Sequence, residues 1–271
     1  MNIRDSIAVV TGAASGIGTC VCAELARRGA KMLALVDMSD QVLETAKCLN
    51  KTSNVQIQSF QGDTTDPQFR KNVFDEICER YGVPNICVPA AGIARDGLAV
   101  RMNKDTKEPE IYPIELFHKV IEVDLVAPVY WALEMLARIA KKRSDLGLKR
   151  WLAAENMQGV VIFIGSISSS GIKGQIAYSA SKAGLEGAAN TLTKEANYYG
   201  VRCGVIHPGF TDTPMVRALG EEYIAKHILP GTQLGRLIKP EEIADAICFM
   251  ISNSAVTGEL WADAGWHPSA A

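Results

Sequence analysis

Ser166, Tyr178 and Lys182, all within residues 158–187, are of types that together can move a proton onto or off an oxygen. Tyr178 and Lys182 stand at i and i+4 in a stretch of small, helix-compatible residues (Ala180, Ala183, Gly184, Gly187, Ala188), so they share one helix face. An ammonium beside a phenol favours the phenolate and lowers a pKa that is ordinarily about 10. The β-branched run Val160 to Ile164 reads as a buried strand that ends in Gly165-Ser166. A hydroxyl at that strand end can share a substrate oxygen with the phenol, which makes a proton-transfer site for an alcohol or a carbonyl. Taken alone, Tyr-x3-Lys is an ordinary feature of solvated helix faces and Ser166 an ordinary turn residue. The N-terminus tips the balance towards chemistry.

There, the buried strand Ile7 to Val10 runs into Thr11-Gly12-Ala13-Ala14-Ser15-Gly16-Ile17-Gly18, and a helical pattern follows to Arg28. Strand, glycine-rich turn and helix form the context of a dinucleotide fingerprint. Gly12 permits the turn, Gly16 lets backbone approach a pyrophosphate, and Gly18 lets the helix pack on the sheet. The helix N-terminus supplies free N–H groups and a positive dipole. The next strand, Met32 to Val36, stops at Asp37, whose carboxylate can accept both ribose hydroxyls. It would repel a 2′-phosphate, and neither Ala14 nor Met38 is a cation that could neutralise one. The pair therefore points to NAD(H) over NADP(H).

The elements that must position these residues follow in order. A helix is expected at about 40–50, then a strand Val55 to Phe60 ending in Gly62-Asp63-Thr64. Asp63 either meets an adenine amino group or caps the helix that starts near Asp66-Pro67. A fourth strand lies within 85–92, with Pro89 either at its last residue or in the turn, because a central strand needs every N–H. Ala90-Ala91-Gly92 is small enough for a cofactor lying across a strand end. Residues 93–113 read as a surface excursion and 114–141 as one helix, with Asp124 amid its apolar positions, where a carboxylate needs a partner or water. The basic segment 141–150 reads as a solvated connection. A sixth strand, Val201 to Ile206, closes with His207-Pro208-Gly209. Residues 210–238 suit a substrate lid. Pro240-Glu241-Glu242 opens the last helix and Glu259 to Ala262 the last strand. Strands and helices alternate, so one α/β domain with a doubly wound parallel sheet spans 1–271.

Composition narrows the class. A net charge of −2 argues against a nucleic-acid or anionic-membrane binder, and no apolar run approaches a membrane span. The N-terminus enters a strand at once, leaving no room for a signal peptide. Seven scattered cysteines fit free, buried thiols in a reducing cytoplasm. Cys20-x-Cys22 has no second pair and the four histidines show no ligand spacing, so no metal site is expected.

As a set, Thr11-Gly12-x3-Gly16-Ile17-Gly18, Asp37, Asp63, Ser166, Tyr178-x3-Lys182 and Pro208-Gly209 with Thr213 resemble the classical short-chain dehydrogenase/reductase family over essentially the whole chain. The resemblance implies a seven-stranded Rossmann fold. It implies Tyr178 as acid/base, Lys182 as the group that lowers its pKa and holds the nicotinamide ribose, and Ser166 as the group that orients the substrate oxygen. Phe210 and Thr213 would line the nicotinamide and its amide, and helices 114–141 and the one after Tyr178 would join a homotetramer. GIARDGLAVRM, Pro208-Gly209-Phe210 and Leu234-Gly235-Arg236 resemble the 3-oxoacyl reductase branch, which generally prefers NADPH; Asp37 contradicts that preference.

Three departures stand out. Pro89-Ala90 replaces the usual Asn-Asn, Asp124 replaces the Asn that holds a relay water, and Ser166 sits one residue closer to Tyr178 than in most members. Either the backbone carbonyl at 124 suffices, or the added carboxylate pairs with Lys182 and raises the lysine's pKa. The leading reading is an oxidoreductase for secondary alcohols and ketones. A catalytically weak NAD-binding regulator is the alternative of another class, and a nucleotide-binding methyltransferase, which needs no Tyr-x3-Lys, ranks last.

Overall fold

The computed structural model describes residues 1–266. The strands of the main sheet are β1 Ile7–Thr11, β2 Met32–Asp37, β3 Gln56–Gln61 and β4 Ile86–Pro89, then, beyond a short ribbon of β5 Val100–Met102 and β6 Pro109–Ile111, β7 Gly159–Ile164, β8 Val201–Pro208 and β9 Gly258–Ala262. Seven of them form one parallel sheet in the order β3-β2-β1-β4-β7-β8-β9. β1 and β7 are nearly continuous apolar runs, as strands covered on both faces tend to be, while β8 is buried throughout yet carries Arg202 and His207. β3 reads QIQSFQ with mixed burial, as befits an edge.

The helices are α1 Gly16–Arg27, α2 Gln41–Thr52, α3 Pro67–Arg80, α4 Ile114–Ile121, α5 Ala127–Asp145, α6 Ile176–Glu195, the short α7 Pro214–Arg217 and α8 Glu221–Tyr223, and α9 Pro240–Ser252. Two apolar layers sandwich the sheet. Val21 and Leu25 of α1 and Ile243 and Ile247 of α9 cover one face. Phe74 and Ile77 of α3, Trp131 and Met135 of α5 and Leu185 of α6 cover the other. No helix among the described residues is long and apolar enough to cross a membrane.

Several sequence expectations change. The segment 93–113 is not plain loop, since β5 and β6 pair antiparallel within it. The single helix expected over 114–141 is interrupted by a π-turn, Glu122–Val126, and runs on to Asp145. Pro128 explains the interruption: it lacks the N–H that would bond the Asp124 carbonyl, so the α-ladder cannot pass. The segment 141–150 is not merely solvated. Arg143 is buried, donating to Glu155 at 2.6 Å and to the Lys149 carbonyl at 3.0 Å. All seven cysteines are free, as expected, yet Cys48 is exposed rather than buried. Pro89 does end β4, opposite Thr11. His267 and the rest of 267–271 lie outside the described residues.

Candidate active site

The strand order reverses between β1 and β4, and a cleft of about 560 Å³ opens above their carboxyl ends. Of the residues singled out from the sequence, Gly12, Ser15, Gly16, Ile17, Gly18, Asp37, Asp63, Thr64, Ala91, Gly92, Tyr178, Lys182 and Thr213 line it. Residues distant along the chain thus meet at one sheet edge.

The glycine turn is shaped largely by its own packing. Gly12 has φ +67°, and a Cβ there would stand 2.7 Å from the Ala90 carbonyl oxygen. A Cβ on Gly18 would stand 2.1 Å from the Gly12 carbonyl oxygen, so α1 lies as close to β1 as backbone permits. Thr213, which caps α7, crowds Gly16 with its methyl group at 3.1 Å from the position of an added Cβ. The α1 N-terminus is open: Ser15 makes no side-chain cap hydrogen bond and the first turn has no acid.

Asp37 is bound into this turn. Its Oδ2 accepts from the Ala14 N–H at 3.0 Å and its Oδ1 from the Ser39 N–H at 3.0 Å. Ser39, not Asp37, serves the entry to α2, accepting from the Gln41 N–H. Asp63 accepts from the Thr65 N–H and hydroxyl, while Asp66 caps α3 through the Gln68 N–H. Of the two roles open to Asp63, the cap is therefore taken by its neighbour, and Asp63 faces the cleft. Thr64 is buried and its carbonyl accepts from the Trp131 indole N–H.

Lys182, Tyr178, Asp124 and Ser166 form a second group of interacting side chains. Lys182 Nζ donates to the Ile164 carbonyl at 3.1 Å, sits 5.2 Å from the Tyr178 ring centroid and lies 3.4 Å from Asp124 Oδ2. Asp124, wholly buried on the π-turn, accepts from the Ile93 N–H through Oδ1. Among the described residues its Oδ2 has no well-formed hydrogen bond and faces only the Lys182 ammonium at 3.4 Å. Ser166 starts a 3-10 turn, where its Oγ accepts from the Ser168 N–H. The phenol's acidity departs from the expectation. Burial pushes Tyr178 up, the Lys182 ammonium pulls it down, the Asp124 carboxylate pushes it up again and the Ser166 hydroxyl pulls it down; the net direction is upward. Burial also pulls Lys182 down, but Asp124 and Tyr178 outweigh it and hold the ammonium above its ordinary value. Burial raises Asp124 against the pull of Lys182.

Asp124 and Ser166 stand behind the lining, in contact with Lys182 and Tyr178 respectively. Pro208, Gly209 and Phe210, at and just past the carboxyl end of β8, are not among the residues that line the cleft. Pro208 ends β8 beside Ala262, Gly209 packs on the Asp263 backbone, and Phe210 meets Trp266 edge-on at 4.9 Å. The sequence reading did not single out Arg95, Lys119, Glu122 or Met215, which also line the cleft, whereas Met38 lies there as its place beside Asp37 suggests. Lys119 and Glu122 lie within the turns just before Asp124, so the helical spacing carried that signal.

The sequence profile of the short chain dehydrogenase family matches residues 6–224. The chain belongs to the short-chain dehydrogenase family. With that family it belongs to the oxidoreductases that act on CH–OH groups and bind a nicotinamide cofactor. It is 33% identical to the 3-oxoacyl-[acyl-carrier-protein] reductase FabG of Escherichia coli K12 over 262 residues, covering 96% of each. It is 28% identical to the (3R)-3-hydroxyacyl-CoA dehydrogenase of Canis lupus familiaris, covering 95% of this chain and 94% of that one. Among solved structures, one titled ribose-5-phosphate isomerase from Brucella melitensis 16M superposes with a TM-score of 0.80 at 26% identity, covering 98% of this chain and 93% of that one.

The residues present fit a dinucleotide. An uncapped helix N-terminus, an unbonded Ser15 hydroxyl and the Asp37 carboxylate all face the same cleft as Tyr178 and Lys182.

Proposed function

We propose that this short-chain dehydrogenase transfers a hydride between NAD(H) and a secondary alcohol or ketone, with Tyr178 moving the proton. The observation that carries this reading is that Tyr178 and Lys182 line the same cleft as Asp37 and the open end of α1. The nicotinamide, when bound, gives or takes the hydride. The protein's own side chains do the rest. The Tyr178 hydroxyl gives its proton to a carbonyl oxygen in reduction, and its phenolate takes one from an alcohol in oxidation. The Ser166 hydroxyl holds that same oxygen. Lys182 stabilises the phenolate and, with Asp124, anchors the proton path away from bulk water. Asp37 accepts from the adenosine ribose and repels a 2′-phosphate.

Residues 210–238 act as the substrate lid. Their stem is supported by the Asp212 N–H donating to the Ile238 carbonyl at 2.8 Å and the Ile238 N–H donating to the Phe210 carbonyl at 2.9 Å. Ile224, Ile228 and Leu237 give the segment its own small core. The names of the relatives favour a 3-oxoacyl or 3-hydroxyacyl thioester as substrate. The homotetramer belongs to the same proposal: Ala180, Ala183 and Gly187 leave an exposed, small-residue face on α6. A reducing cytoplasm suits the seven free thiols.

Purified protein is given NAD with secondary alcohols and 3-hydroxyacyl thioesters, and NADH or NADPH with the corresponding ketones. Turnover with NAD(H), best on one of these classes, is expected. Tight cofactor binding with no turnover on any of them overturns the enzyme reading in favour of the regulator.

A further inference from the structure

His207, at the penultimate position of β8, is wholly buried, yet its Nε2 makes no hydrogen bond. That atom points between two carboxylates, Glu259 Oε2 at 3.6 Å on β9 and Glu186 Oε1 at 3.8 Å on α6. Neither carboxylate makes a hydrogen bond among the described residues. All three ligand atoms lie within 4.8 Å of one another. The ring nitrogen is the costly atom here, since it is buried and beyond hydrogen-bond reach of either carboxylate.

The spacing suits a shared ion. Distances of 3.6 and 3.8 Å are too long for N–H···O hydrogen bonds. They are close to the roughly 3.4 Å that separates two ligands each about 2.1 Å from a tetrahedral zinc. The opposite side of the ring completes the pattern. Nδ1 lies 3.2 Å from the Ser166 carbonyl, 3.3 Å from the Ser166 N–H and 3.4 Å from the Ser169 hydroxyl. The tautomer that donates Nδ1–H to the carbonyl leaves the Nε2 lone pair free for a metal, whereas the one that accepts from the Ser166 N–H does not. Trp261 stacks on the imidazole at 4.1 Å and 13°, and Gly165 leaves no room for a Cβ beside it, so the ring is fixed in direction. Both glutamates are partly exposed, which gives an entry path and room for water as a fourth ligand.

We infer that Glu186, His207 and Glu259 form a binding site for one zinc-like divalent cation, separate from the cleft. One imidazole and two carboxylates match a borderline first-row ion better than a hard cation such as magnesium. The ion neutralises both acids and locks the ring against which the Ser166 backbone rests. The three ligands come from α6, β8 and β9, so no spacing along the sequence brings them together.

The test is zinc titration of the metal-stripped full chain by calorimetry, with bound metal counted after dialysis, and cobalt as a spectroscopic probe. One ion per chain is expected, with a cobalt spectrum free of thiolate charge-transfer bands. The Trp261 fluorescence should change on loading, and Trp261→Phe should abolish that response. Glu186→Gln and Glu259→Gln should each weaken zinc by at least about tenfold, the loss seen even for outer-shell partners of a metal. Their folding is checked by circular dichroism and melting, so a failed fold is not mistaken for a lost ligand. No saturable zinc binding, unchanged affinity in the double glutamine variant, or thiolate bands in the cobalt form would each overturn the site.

Discussion

Asp124 Oδ2 lies 3.4 Å from Lys182 Nζ, with both side chains withdrawn from solvent. This ion pair replaces the neutral amide that the resemblance places at 124. Its two halves act oppositely on stability. Lys182 is held above its ordinary pKa, so its pairing stabilises the fold at and below about pH 10 and is lost as pH rises through the folded value. Asp124 is also raised, so its charged form costs stability, and that cost appears as pH rises above the ordinary carboxylate range. The pair thus trades stability for a charge placed beside the phenol.

Asp124→Asn removes that charge. The carboxylate is among the groups that push Tyr178 up, so its loss should move the phenol's pKa down. The pH profile of kcat/KM for alcohol oxidation, which rises as the base forms, should then have its midpoint at lower pH. A profile that stays in place or moves upward would separate Asp124 from the proton chemistry.

Tyr178→Phe should lower turnover by about 10²–10⁴-fold, the usual contribution of a positioned acid/base. Cofactor affinity, measured by fluorescence quenching, should change little, since the substitution leaves the glycine turn and Asp37 in place. Retention of full activity would remove Tyr178 from its assigned role.

Asp37→Ala should reduce the preference for NAD over NADP by at least about tenfold, or about 1.4 kcal/mol. It also frees the Ala14 and Ser39 N–H groups that the carboxylate accepts from, so a small fall in melting temperature should accompany it. The ratio of kcat/KM for the two cofactors checks the first effect. An unchanged ratio would mean that Asp37 serves only the turn.

Gly165→Ala should destabilise by about 1–3 kcal/mol through overpacking. An added Cβ would stand 2.6 Å from His207 Nδ1 and 2.7 Å from Val205 Cγ1, and both neighbours are buried. Thermal melting should show a drop of several degrees. An unchanged melting temperature would mean that the His207 ring is free to shift.

The α/β class, the main parallel sheet, the glycine turn, the acid after β2 and the Tyr178–Lys182 pair were legible in residue order. They rest on short-range physics: burial periodicity, glycine at positive φ, and helical i, i+4 spacing. The break at 122–126 was legible in principle, because Pro128 announces it. Other features lie beyond local pattern. The phenol's upward shift depends on how deeply α6 sinks against the π-turn. Phe210 turns to Trp266, and Arg143 finds Glu155, only because the chain returns on itself. His207, Glu186 and Glu259 meet because β8, β9 and α6 pack together. Charge and burial act through space, so partners far apart in the chain emerge only when the sheet is assembled.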